Sequence, residues 1–154
     1  MIRLFTLLFL VISLFVATSC SSMEMIDCPY VVADSRIELG ALEDSYEFAG
    51  VHFSLYNDSL KDISSFTVSF LVYDNDGQNP FIGSNCIVKS FNAPVAAHTK
   101  SDFSVSLDSN LVRVPKEKYI LDFFYIKKIS YADGSVWTDP FGMHSTSEVS
   151  QNDD

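Results

Sequence analysis

Basic residues are scarce in this chain: 10 Lys and Arg stand against 20 Asp and Glu, a net charge of -10. A surface so acidic repels phosphate backbones and anionic lipid heads, which excludes nucleic acid as a partner and excludes a basic patch as the means of reaching a membrane. Histidine is scarcer still. His52, His98 and His144 are far apart and share no metal-ligand spacing. There is no Gly-rich phosphate loop and no Gly-x-Ser-x-Gly turn to expose a serine nucleophile. Asp74-x-Asp76-Gly77 opens like a calcium loop, but Gln78 and Asn85 occupy places where that loop needs its later oxygen ligands and its Glu, so a turn is expected there. No pair of carboxylates is singled out for hydrolytic chemistry. The sequence therefore predicts no catalytic residue, no metal and no cofactor.

What is abundant points to strands. Apolar residues make up 47% of the chain, enough to build a core. Phe, Tyr, Val, Ile, Ser and Thr prevail over helix formers, a bias suited to pleated surfaces. In Val51-His52-Phe53-Ser54-Leu55, apolar and polar residues alternate, so one face is buried and His52 lies on the wet one. Phe66, Val68, Phe70 and Val72 repeat the pattern, as do Phe103, Val105 and Leu107. Further strands are expected near Val31–Leu39, over Cys86–Phe91, and over Ser135-Val136-Trp137. The stretch from Tyr119 to Tyr131 is apolar on both parities, which fits either a central strand covered on both faces or a long strand whose bulge switches faces. Asn57–Asp62 and Asp74–Gly77 read as turns, Asn92–Thr99 as a loop broken by Pro94, and Asp133-Gly134 as a two-residue type I′ hairpin. About seven short strands with no long amphipathic helix predict an all-β, antiparallel two-sheet sandwich, with a small closed barrel as the alternative.

The N-terminus is of another character. Arg3 is the only charge in residues 1–19, and removing that segment leaves nine basic residues against twenty acidic ones, a net of -11. Leu4–Ala17 is uncharged and dominated by Leu, Phe, Val and Ile. It has the length of a signal-peptide core and is shorter than the roughly 20 residues that span a bilayer. Val16-Ala17-Thr18-Ser19-Cys20 resembles the lipobox of bacterial lipoproteins. The resemblance implies cleavage before Cys20, diacylglycerol and an N-acyl chain on that residue, and attachment to the cell membrane or, since Ser21 rather than Asp follows, the outer membrane. Ala17 stands where the family usually has Leu, so Ala17-Thr18-Ser19 also fits the small-x-small site of ordinary signal peptidase. Both enzymes cut the same bond. The expected organisation is a signal peptide at 1–19, a tether at 20–30, a sandwich domain at 31–143 and a disordered acidic tail at 144–154.

Phe53-Ser54-Leu55-Tyr56-Asn57 resembles the signature of FxLYD-type domains, immunoglobulin-like modules of bacterial lipoproteins and exported proteins, with Asn57 at the place of the namesake Asp. Val72-Tyr73-Asp74 and the closing Ile129–Trp137 stretch resemble later features of related domains. The likeness covers roughly residues 45–140 and implies an immunoglobulin-like, non-catalytic module of the cell envelope, one that binds another envelope protein or supports an assembly. A small-molecule-binding module and an enzyme accessory subunit are the rival readings. Two features bear on sites. Cys28 and Cys86 remain once Cys20 is lipidated, and export makes a disulfide between them a candidate; the other reading is a buried Cys86 with Cys28 free. Tyr56, Tyr73 and Trp137 form a candidate binding surface, since Tyr and Trp favour such places, against the reading that they pack the sheets.

Overall fold

A computed structural model describes residues 27–42, 45–111 and 119–146, with the backbone path alone for 39–42 and 45–48. The expected signal peptide, Cys20, most of the expected tether and residues 147–154 lie outside the described residues. Seven strands form: β1 (Tyr30–Leu42), β2 (Ser45–Asn57), β3 (Ile63–Tyr73), β4 (Cys86–Phe91), β5 (Lys100–Ser106), β6 (Ile120–Tyr131) and β7 (Val136–Thr138). They make two antiparallel sheets, β1-β2-β5 and β4-β3-β6-β7. This is the expected sandwich. With the strands lettered A to G in order, the first sheet is A-B-E and the second holds C-F-G with the fourth strand added beside C, a close variant of the immunoglobulin arrangement.

Alternation decides the packing. Val51, Phe53 and Leu55 of β2, Phe66, Val68, Phe70 and Val72 of β3, and Val105 of β5 all point inward and are buried. Aromatic rings fill the middle. Phe53 meets Phe66, Phe91, Phe103 and Phe124 at centroid distances of 4.9–6.5 Å, and Phe70 stacks on Phe124 at 5.6 Å. Offset and edge-on geometries of this kind add to the gain from burial itself.

β6 realises the bulged reading of its mixed parity. Its register against β3 slips between Thr67 and Val68, where Lys127 is the extra residue, and again between Ser69 and Leu71. Phe123, at the second slip, has φ +48°. The inward residues accordingly change parity twice: Leu121, then Phe124 and Ile126, then Ile129 and Tyr131. The covered reading holds in one place as well, since Tyr125 points outward yet is buried, with Gly142 close against its ring.

Three details differ from expectation. The last hairpin is not type I′. Gly134 N–H donates to Tyr131 and Tyr131 N–H to Ser135. Only Gly134, with φ +83°, is left-handed. Ala132, Asp133 and Gly134 thus form a three-residue loop, a type I turn closed by a glycine bulge. The predicted loop at 92–99 contains Val95, buried and joined to Ile63 by two backbone hydrogen bonds. The chain also does not leave the domain at 144. Thr146 and Phe124 exchange backbone hydrogen bonds of 2.8 Å, so residues 139–146 form a strap along β6.

Candidate functional site

The outer face of β1-β2-β5 carries a polar network. β2 and β5 pair with His52 opposite Ser104 and Ser54 opposite Asp102, and β1 brings Arg36 opposite His52. Period-two geometry turns all of these side chains outward. Ser104 Oγ lies 2.7 Å from His52 Nδ1, and His52 Nε2 lies 3.3 Å from Glu38 Oε2. The Ser104–Nδ1 contact has hydrogen-bond length, whereas Glu38 stands to His52 Nε2 as an ion-pair neighbour rather than a hydrogen-bond acceptor. Glu38 is bound in turn by Arg36 Nε at 2.6 Å, and this hydrogen bond holds its carboxyl below the usual range. Ser54 donates to Asp102 at 2.6 Å, and Lys100 pairs with Asp34 at 3.3 Å. Asp34 sits at a bulge between Ala33 and Arg36 with φ +54°. Between these side chains lies a shallow hollow of about 370 Å³.

Ser104, His52 and Glu38 follow one another in the order of a nucleophile, a base and an acid, but the contact from His52 to Glu38 is not a hydrogen bond that would orient the imidazole. The surroundings do not favour that chemistry. Ser104 is exposed and the ion pairs are about half exposed, so water and salt screen the charges that would have to activate the hydroxyl. The arrangement suits hydrogen bonding to a polar surface or a small polar ligand. Sequence reasoning placed His52 on the wet face but did not single out Ser104, Glu38 or Arg36. Alternation gave their faces, while the cross-strand register that joins them has no local signature.

The residues singled out from sequence are dispersed. Cys20 lies outside the described residues. Cys28 and Cys86 are free thiols, so the candidate disulfide is not formed. The topology explains why. Cys28 precedes Pro29, whose carbonyl accepts from Asp58 at the Ile63 end of the sandwich, whereas Cys86 pairs with Leu71, eight residues along β3. That is ~26 Å at strand rise, far beyond the ~7 Å that a disulfide tolerates between Cα atoms. Cys86 is also exposed rather than buried. Cys28 donates to the Tyr30 carbonyl at 3.2 Å, and partial burial pushes its thiol pKa up.

Tyr56, Tyr73 and Trp137 do not form one surface. Tyr56 is on the outer face of β2 near the Asn57 turn, and Tyr73 is at the opposite end of β3 on the other sheet. Trp137 packs against the core, edge-on to Tyr30 at 5.6 Å, and its Nε1 is buried with no hydrogen-bond partner among the described residues. The sheet-packing reading is the right one for Trp137. Among the described residues no three His, Cys, Asp or Glu converge as metal ligands, and no helix is long and apolar enough to cross a membrane.

No family model matches the chain, and no curated protein matches it. It is similar in structure to a hypothetical protein from Peptoclostridium difficile 630, at 13% identity and a TM-score of 0.52, over 74% of this chain and 88% of that one. A structural-genomics target matches at 12% identity and a TM-score of 0.45, over 71% and 79% of the two chains. The first likeness concerns the fold alone.

Proposed function

We propose that the chain is a membrane-anchored lipoprotein of the bacterial envelope whose β-sandwich is a non-catalytic interaction module of the FxLYD type. The observation that carries this reading is the sequence up to Cys20: one positive charge, an apolar segment too short to span a bilayer, then small residues directly before a cysteine. The sandwich is a suitable cargo, because its interior is filled by aromatic side chains and its polar hollow lies on an open face. Two or three acyl chains on Cys20 hold a protein to a membrane durably, where one chain holds it only marginally. The intact mass of the mature N-terminus tests the anchor, and an unmodified Cys20 would refute it. Crosslinking and recovery of the anchored protein from intact membranes tests the interaction. A specific envelope protein is expected, and recovery of none would remove the module's proposed role.

The hollow beside Ser104, His52 and Glu38 favours a second reading, a site for a small polar ligand on the outer face of β1-β2-β5. Loss of ligand binding in His52→Ala with unchanged thermal stability would separate it from the first.

A further inference from the structure

We infer that the outer face of β4-β3-β6 docks a second copy of this chain, the two copies lying face to face about a two-fold axis. Such pairing goes beyond the proposed envelope role and does not require lipid on Cys20.

The two slips of β6 build this face. Two residues instead of one separate the inward Leu121 and Phe124, and two separate the inward Ile126 and Ile129. Asp122 and Phe123 are therefore both left outside the core, as are Lys127 and Lys128. β3 turns Thr67, Ser69 and Leu71 to the same side, between its inward Phe66, Val68, Phe70 and Val72. The result is three rows across the sheet. Ser69 stands between Val88 and Tyr125, Thr67 between Ser90 and Lys128, and Leu71 between Cys86 and Asp122. The strap adjoins these rows, since Gly142 lies against the rings of Phe123 and Tyr125.

This face is apolar where the other outer face is polar. Among the described residues, Val88, Ile120, Phe123, Phe141 and Met143 are five of the nine large apolar side chains left exposed. Ile120 continues the face opposite Tyr73, and Phe141 and Met143, each 81% exposed, flank Gly142. The strap is held in place by Asp139, which accepts from the N–H groups of Met143 and His144 at 2.9 and 3.0 Å. Large apolar side chains gathered on one face and held out by fixed backbone mark a contact surface.

The spacing of the charges selects the occupant. Lys128 has no carboxylate partner among the described residues. Asp122 is the only carboxylate in the three rows. The Thr67 row and the Leu71 row lie equally far from the Ser69 row, two β3 residues to either side. A two-fold axis laid along the middle row, in the plane between two copies, reverses the strand direction and exchanges the outer rows. Lys128 of each copy then faces Asp122 of the other, and Val88 faces Val88. One face thus supplies both members of two ion pairs, the self-complementarity that a closed dimer requires. Two copies of an acidic chain meet here without setting acid against acid.

The test uses the full chain made in bacteria with its own leader, carrying Cys28→Ser and Cys86→Ser so that Val88→Cys supplies the added thiol. A short bis-maleimide is applied to intact cells. Ser106→Cys, exposed on the other outer face, is the control, and the parent with the two serines reports any contribution from Cys20. Each variant is first shown by thermal unfolding to keep its fold. A band of dimer mass is expected at 88, about tenfold stronger than at 106. Lys128→Asp and Asp122→Lys should each weaken it about tenfold by setting like charges across the axis, and the two combined should restore it. Asp122 also accepts the Phe123 N–H at 2.7 Å, so Phe141→Ser with Met143→Ser serves as a second disruption that leaves the bulge alone and should weaken the band as well. A band at 88 no stronger than at 106, a band joining 88 to a different protein, or a dimer indifferent to the charge variants would each overturn the pairing. Lipid on Cys20, read separately by mass, bears only on the anchor.

Discussion

Asn57 stands where the resemblance to FxLYD domains would place an aspartate, and its surroundings explain why an amide suits this chain. It is fully buried. Its Nδ2 donates to the carbonyls of Lys61, Val95 and Ala96 at 2.8–3.2 Å. Its Oδ1 accepts from the Ser59 N–H at 3.1 Å and the Ser59 hydroxyl at 2.7 Å. One side chain thus fixes the turn after β2 and the loop before β5. A carboxylate would aim a second oxygen at three carbonyl oxygens. Asn57→Asp should therefore cost ~3 kcal/mol or more at pH 7, the scale of a buried charge without donors. The buried acid's folded-state pKa would be raised, so the deficit should be complete above that raised value and shrink as pH falls from it to the ordinary carboxylate value of about 4. Urea unfolding at pH 4 and pH 7 checks this, and equal deficits at the two values would rule out the donor argument.

Among the elements, the strap over β6 is where a small change should have a local effect. Gly142 has φ +69°, and a Cβ there would lie 2.7 Å from the Phe123 ring. Gly142→Ala combines a left-handed backbone cost of ~1 kcal/mol with displacement of that ring. Amide exchange at Phe124 and Thr146, which hold the strap, should quicken about tenfold, with a smaller change in the core strands. Unchanged exchange at those two amides would mean that the strap does not depend on Gly142. The strap also shows where the sequence stopped being legible. Strands with clean alternation, such as the one through Phe66 and Val72, could be read directly because one face is buried and one is wet. The mixed parity of β6 showed that something switched but not where, since a bulge is fixed by the partner strand's register. Residues 144–146 are polar and without period, and they are held by pairing to Phe124, which no local pattern announces. The same holds at the candidate site: His52's face could be read, but its meeting with Ser104 and Glu38 depends on how three strands align.

At the scale of the whole molecule, the shifted groups define a stability optimum with two limbs. Glu38, Asp133 and Asp139 all have depressed pKa values. Glu38 and Asp133 owe theirs first to hydrogen bonds from Arg36 and Lys61, and both are too exposed to count for much after screening. In Asp139 burial pushes the carboxyl upward, and the N–H groups of Met143 and His144 outweigh it. A group with a depressed folded value adds stability that is complete above its unfolded value and lost as pH falls through the folded one. Burial raises Cys28, Tyr30 and Tyr131, so their contribution is complete below about pH 9 and fades as pH climbs through their folded values. Protonation also relieves the self-repulsion of an acidic surface, which works against the acid limb. That relief is long-range and falls away at 0.15 M salt, where the Debye length is about 8 Å, whereas the two N–H contacts to Asp139 are at bonding distance and escape screening. The unfolding midpoint in 0.15 M salt with reductant should therefore fall below about pH 4 and again above about pH 9. Asp139→Asn keeps one acceptor oxygen and loses the charge, so it should cost ~1 kcal/mol at pH 7 and flatten the acid limb. If the variant kept the parent's full acid slope, the loss would have to arise from other carboxylates, and Asp139 would be no more than a static clasp for the strap.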